Sequence, residues 1–92
     1  MKLKYTFVIR RVAETEIAVA VGDGAAAFHG MIKLNASGKL IFEQLMRGGA
    51  TVDGIVQALQ TTYGGEEEAV REAVGEFLTT LREQGLLEEE AV

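Results

Sequence analysis

Few side chains in this 92-residue chain are equipped for covalent chemistry. It has no cysteine, so it offers no thiol nucleophile, disulfide framework or thiolate metal site. His29 is the only histidine and Ser37 the only serine. No pair of histidines can hold a metal, and a nucleophilic triad would require that single Ser and His to meet. Gly22-Asp23-Gly24 ahead of three alanines has some of the glycine content of a phosphate-cradling loop, but neither Gly-Lys-Ser/Thr nor a spaced third glycine follows. It reads as a strand connection. The glutamate runs lack calcium-loop spacing and read as a solvated face. These residues point away from catalysis and imply no cofactor or metal.

Recognition is better represented. Arg71, Gly75, Leu78 and Arg82 fall at i, i+4, i+7 and i+11, one row of a helix beside its core stripe. Two cations, a leucine and a glycine without a side chain would suit a shallow groove approached by another backbone. The same row has a plainer explanation: Arg71 pairs with Glu67 one turn away, and Leu78 belongs to the edge of the core.

The elements that would position this row follow from periodicity. Residues 5–13 and 16–22 are β-rich and alternate, with Ile17, Val19 and Val21 on one face, and they predict a hairpin. A flexible connection from Asp23-Gly24 to Gly30 leads to a short third strand, Met31 to Leu34. Asn35 is placed to cap a helix over 36–47, which Gly48-Gly49 ends, and Thr51 to cap a second over 52–63. A third helix, about 66–84, carries the stripe Val70, Val74, Phe77 and Leu81, ends at Gly85, and is followed by an apolar clasp of Leu86 and Leu87. Glu88 to Glu90 are expected to fray. Val56, Leu59, Val74, Phe77 and Leu81 are the expected centre of the core. The fold class is α+β: a three-stranded antiparallel sheet at the N-terminus, then three helices, in one domain over residues 1–92.

Charge narrows the partners. Residues 1–46 carry +2 and residues 47–92 carry −7, so the helical half is strongly acidic. Duplex phosphates and anionic membranes would be repelled there. No apolar run approaches the ~20 residues needed to span a bilayer, and the basic start is not followed by a cleavage site. A reducing cytoplasm suits a chain without cysteine.

Taken together, Phe7-Val8-Ile9-Arg10, Ile17 to Gly22, Ala27 to Asn35, Gly38 with Ile41-Phe42 and Leu45, Thr51-Val52 with Ile55-Val56 and Leu59, and Phe77-Leu78 with Leu81 and Gly85-Leu86-Leu87 resemble the PqqD family. The resemblance implies a winged-helix-like domain acting as a RiPP recognition element, which binds the leader of a ribosomally made precursor peptide. Such a protein presents the peptide to a modifying enzyme, in pyrroloquinoline quinone (PQQ) biosynthesis one of the radical S-adenosylmethionine type, and is not itself a catalyst. It further implies that the leader adds beside the third strand and lies against the third helix. Carried over, the peptide-binding residues are Met31, Ile32, Lys33 and Leu34 with Arg71, Gly75, Leu78 and Arg82. On that assignment Leu78 is accessible, and Leu78→Asp would spare the fold. The alternatives are a winged-helix regulator reading nucleic acid through the third helix, which its six glutamates between residues 66 and 84 oppose, and a homo-oligomeric module self-associating through the edge strand.

Overall fold

A computed structural model describes residues 1–22, 25 and 30–89. Among these residues the elements described are β1 (Lys2–Leu3), β2 (Phe7–Val12), β3 (Thr15–Ala20), β4 (Met31–Leu34), α1 (Ala36–Arg47), α2 (Val52–Tyr63), α3 (Glu67–Glu83) and β5 (Leu87–Glu88). β2, β3 and β4 form an antiparallel sheet in that order, and the three helices follow it, as the periodicity predicts. Of the connection expected from Asp23-Gly24 to Gly30, all but Ala25 and Gly30 lies outside the described residues. No described helix is long and apolar enough to cross a membrane.

Register decides which side chains meet the helices. Phe7 opposes Ala20, Ile9 opposes Ala18, and Ala18 in turn opposes Ile32, so these residues share the inner face with Leu34. The inner face of β3 is therefore Ala18 and Ala20, both buried, and Ile17 and Val19 share the opposite face. Small alanines in the central strand leave room for Phe42 of α1, which is fully buried and meets Phe7 edge-to-face at 5.2 Å between ring centroids. Ile55, Val56 and Leu59 of α2 and Val74, Leu78 and Leu81 of α3 complete the core.

The chain ends are more ordered than their sequence suggests. Lys2 pairs with Glu88 and Leu3 with Leu87, a two-stranded sheet that short charged segments did not announce. Glu88 is thus paired in a strand, where fraying was expected. The Leu86 clasp forms as predicted: Gly85 takes a φ of 72°, the Leu86 N–H donates to the Leu81 carbonyl at 2.9 Å, and the Leu86 side chain is buried.

Two side chains of α3 exchange the roles expected of them. Leu78 is 1% exposed and sits in the core, whereas Phe77 is only partly buried. Their wheel positions explain this. Val74, Leu78 and Leu81 span about 60° at 100° per residue, and the buried centre lies between them, rotated about 40° from the centre of the Val70-Val74-Phe77-Leu81 stripe. Leu78→Ala is expected to cost about 2–5 kcal/mol. Phe77→Ala, which opens no sealed cavity, should cost about half of that or less. Urea unfolding of the two variants checks the order, and Leu78→Asp should fail to fold.

Candidate functional site

The short strand β4 is held on one side only. Ala13 and Glu14 form a two-residue turn between β2 and β3, so Val12 and Thr15 are the hydrogen-bonded pair closing the hairpin. Backbone groups alternate in direction along a strand, and Thr15, Ile17 and Val19 therefore aim theirs at β2. The Val21 N–H, donating to the Thr6 carbonyl at 2.9 Å, keeps this parity. Glu16 and Ala18 consequently address β4 through Leu34 and Ile32. The N–H and C=O of Met31 and Lys33 then point away from the sheet, along an edge that no described strand covers.

Beyond the end of β4 lies an open groove of about 680 Å³, lined by the start of α1 (Gly38, Ile41), the end of α2 (Leu59, Tyr63) and one flank of α3 (Ala69, Val70, Ala73, Phe77). Each wall has a local cause. Leu34 is buried and anchors β4. Asn35 turns the chain into α1, its Oδ1 accepting from the Gly38 N–H at 2.7 Å. A Cβ on Gly38 would stand 3.0 Å from that Oδ1, 3.3 Å from a Phe77 ring carbon and 3.8 Å from a Leu34 methyl. Glycine there lets the cap, the aromatic ring and the strand converge. At the far end Gly65 has a φ of 104°, and a Cβ on it would lie 3.2 Å from Val70, so this turn folds closely onto α3.

The residues named from sequence are divided by the structure. Met31 is 63% exposed, Ile32 half-buried, Lys33 exposed and Leu34 buried, all on the edge strand as expected. Arg71, Gly75 and Arg82 lie on the flank of α3 opposite the groove-lining flank, and Leu78 lies beneath the surface between the two. Arg71 donates to Asp53 of α2 at 2.8 Å and to Glu67 at 3.3 Å. Asp53 above all, then Glu67, raises the pKa of its guanidinium above the ordinary value. Arg82 donates to Glu89 at 2.7 Å and 3.0 Å. These cations tie α3 to α2 and to the C-terminal segment, so the ion-pair explanation of the row holds and an exposed Leu78 does not. The flank that does line the groove, Ala69, Val70, Ala73 and Phe77, was missed from sequence, and its one signal was an uncharged strip in a glutamate-rich helix.

The family described as coenzyme PQQ synthesis protein D (PqqD) matches residues 10–87. The chain belongs to the PqqD family. A solved structure described as TbiB1 in complex with the TbiA(beta) leader peptide has the same fold, with a TM-score of 0.72 at 24% sequence identity over 100% of each chain. No curated protein sequence matches significantly. In this PqqD-family chain, the match runs from β2 into β5 and so takes in both β4 and the groove.

Gly75 and Gly65 give a direct check on the two sides of α3. Open space surrounds a Cβ at 75, so Gly75→Ala should stabilise the fold by roughly 0.5–1 kcal/mol. Gly65→Ala should destabilise it by about 1–3 kcal/mol through its positive φ. Thermal or chemical unfolding distinguishes the opposite signs.

Proposed function

We propose that this chain is a non-catalytic peptide chaperone that binds the leader of a ribosomally made precursor peptide and presents it to a modifying enzyme. The observation that carries the reading is the unpaired β4 edge, with Met31 and Lys33 offering their backbone groups outward, running directly into an apolar groove. An added strand takes its affinity from main-chain hydrogen bonds and its selectivity from alternate side chains. Leader residues opposite Ile32 and Leu34 face α3, where apolar side chains enter the groove between Phe77, Val70 and Ala73. Residues opposite Met31 and Lys33 stand on the outer face of the sheet. Membership of the PqqD family supports this reading, as does the shared fold with TbiB1, itself solved with a leader peptide. A radical S-adenosylmethionine enzyme is the modifying partner that PqqD membership suggests, and the cytoplasm is the compartment in which this chain would meet it.

Relative to the sequence-derived site, the strand Met31 to Leu34 is kept, and the helical wall becomes Val70, Ala73 and Phe77 in place of Arg71, Gly75, Leu78 and Arg82. Calorimetry with the precursor encoded beside this chain tests the change. Ala73 is exposed, so Ala73→Glu should keep the fold and weaken binding at least about tenfold, a loss of about 1.4 kcal/mol. Lys33→Pro removes an outward N–H that the sheet does not use and should abolish binding, while Lys33→Ala retains most of it. Arg71→Gln and Gly75→Ala should bind as the parent does. Loss of binding in these two, with Ala73→Glu unaffected, would return the site to the other flank of α3.

A further inference from the structure

The groove beyond β4 is largely apolar and carries charge at one end only. Among the described residues that line it, Glu66 alone has a charged side chain. Glu66 follows the Gly64-Gly65 turn between α2 and α3 and shares that end of the groove with Tyr63, which is 54% exposed. The turn is held in place: the Gly64 N–H donates to the Gln60 carbonyl at 2.8 Å, and Gln60 Nε2 donates to the Gly65 carbonyl at 3.3 Å. α3 does not need this carboxylate. Glu66 makes no side-chain capping hydrogen bond, and Glu67 and Glu68 already place negative charge in the first turn. Glu66 is exposed and has no ion-pair partner among the described residues. The arginines of α3 are engaged on the opposite flank, Arg71 with Asp53 and Glu67, and Arg82 with Glu89. An acid reaching this end of the groove would therefore meet like charge, and a cation would meet a free carboxylate.

Resting on the leader-binding reading, we propose that the groove selects leaders in which an apolar residue and a Lys or Arg stand about three to five positions apart, the cation pairing with Glu66 beside the Tyr63 ring. The spacing follows from α3. Phe77 marks the end of the groove next to β4, where its ring meets the Gly38 joint. From Phe77 back to Glu66 the helix rises about 16 Å, which an extended peptide covers in about five residues, and a long basic side chain shortens the count. Ala69 and Ala73 are exposed and leave the helix surface bare between the two ends, so a peptide backbone can run along it. The stem of Lys or Arg then lies on Val70 and Tyr63, while its charged head reaches the carboxylate at the edge of the solvent. The exposed aromatic ring adds its own attraction for the cation. A neutral leader lacks both contacts, and an acidic one is repelled.

A library of random dodecapeptides displayed on phage and panned on the intact chain reads this preference. Peptides enriched on the parent and lost on Ala73→Glu, which obstructs the groove, are expected to carry Lys or Arg about three to five positions from Leu, Ile or Phe. Calorimetry with one such synthetic peptide should show affinity falling about threefold in Glu66→Gln and about tenfold in Glu66→Lys, with smaller losses at high salt. Replacing the basic residue of the peptide by Glu should restore its binding to Glu66→Lys. Tyr63→Phe should bind as the parent does, and Tyr63→Leu about twofold more weakly. Glu66 and Tyr63 are exposed, so circular dichroism should find all of these variants folded. Enriched peptides without a basic residue at that spacing, or a loss in Glu66→Lys that the charge-swapped peptide does not reverse, would overturn the proposal while leaving groove binding intact. Absence of enrichment on the parent, or equal binding to Ala73→Glu, would instead remove the reading on which it rests.

Discussion

The convergence over Gly38 is the constraint on which the rest of the site depends. Buried Leu34 holds the end of β4 against the core, Asn35 turns the chain within one residue into α1, and the absence of a side chain at 38 admits both the capping oxygen and the Phe77 ring. This joint fixes the angle between the edge strand and α3. A bulkier residue there would push Phe77 outward or break the cap, and overpacking of that kind typically costs about 1–3 kcal/mol. A strand added to β4, as proposed, would meet a groove whose walls this joint already brings together. Preorganisation of this kind reduces the ordering cost that otherwise weakens peptide binding.

α3 divides its circumference between three tasks. Val74, Leu78 and Leu81 are buried and secure it to the core. One flank, with Arg71 and Arg82, reaches Asp53 of α2 and Glu89 beyond β5. These are exposed pairs and contribute little to stability, but they hold the helix ends in register with their neighbours. The other flank is left free of charge and faces the groove. An unpaired edge beside an apolar groove is also an invitation to self-association. Only four residues long, and carrying a charged Lys33 at its third position, β4 limits that hazard.

Much of this architecture was legible in the sequence because local rules governed it. The Asn35 and Thr51 caps, the Gly85 turn with its leucine clasp, and the order of sheet and helices all follow from neighbouring residues. The inner face of β3 was not legible. Ile17 and Val19 are the more hydrophobic set, but the size of Phe42 and the register to β2 and β4 put Ala18 and Ala20 inward. The pairing of β1 with β5 depends on contacts spanning almost the whole chain, which two-residue segments cannot signal. Within the candidate site, the strand Met31 to Leu34 was recognisable and the flank of α3 was not. An apolar stripe four residues wide does not reveal which of its edges is solvated, and a rotation of about 40° was enough to exchange Leu78 with Phe77.

Hydrogen exchange at the β4 amides tests the central claim most directly, because strand parity assigns each amide a different fate. In the free chain, the N–H groups of Met31 and Lys33 face outward and should exchange fast, while those of Ile32 and Leu34 are already bonded to β3. Saturation with the precursor's leader peptide should slow exchange at Met31 and Lys33 by at least about tenfold, leaving Ile32 and Leu34 much less changed. Unchanged exchange at Met31 and Lys33 in the saturated complex would contradict strand addition on this edge.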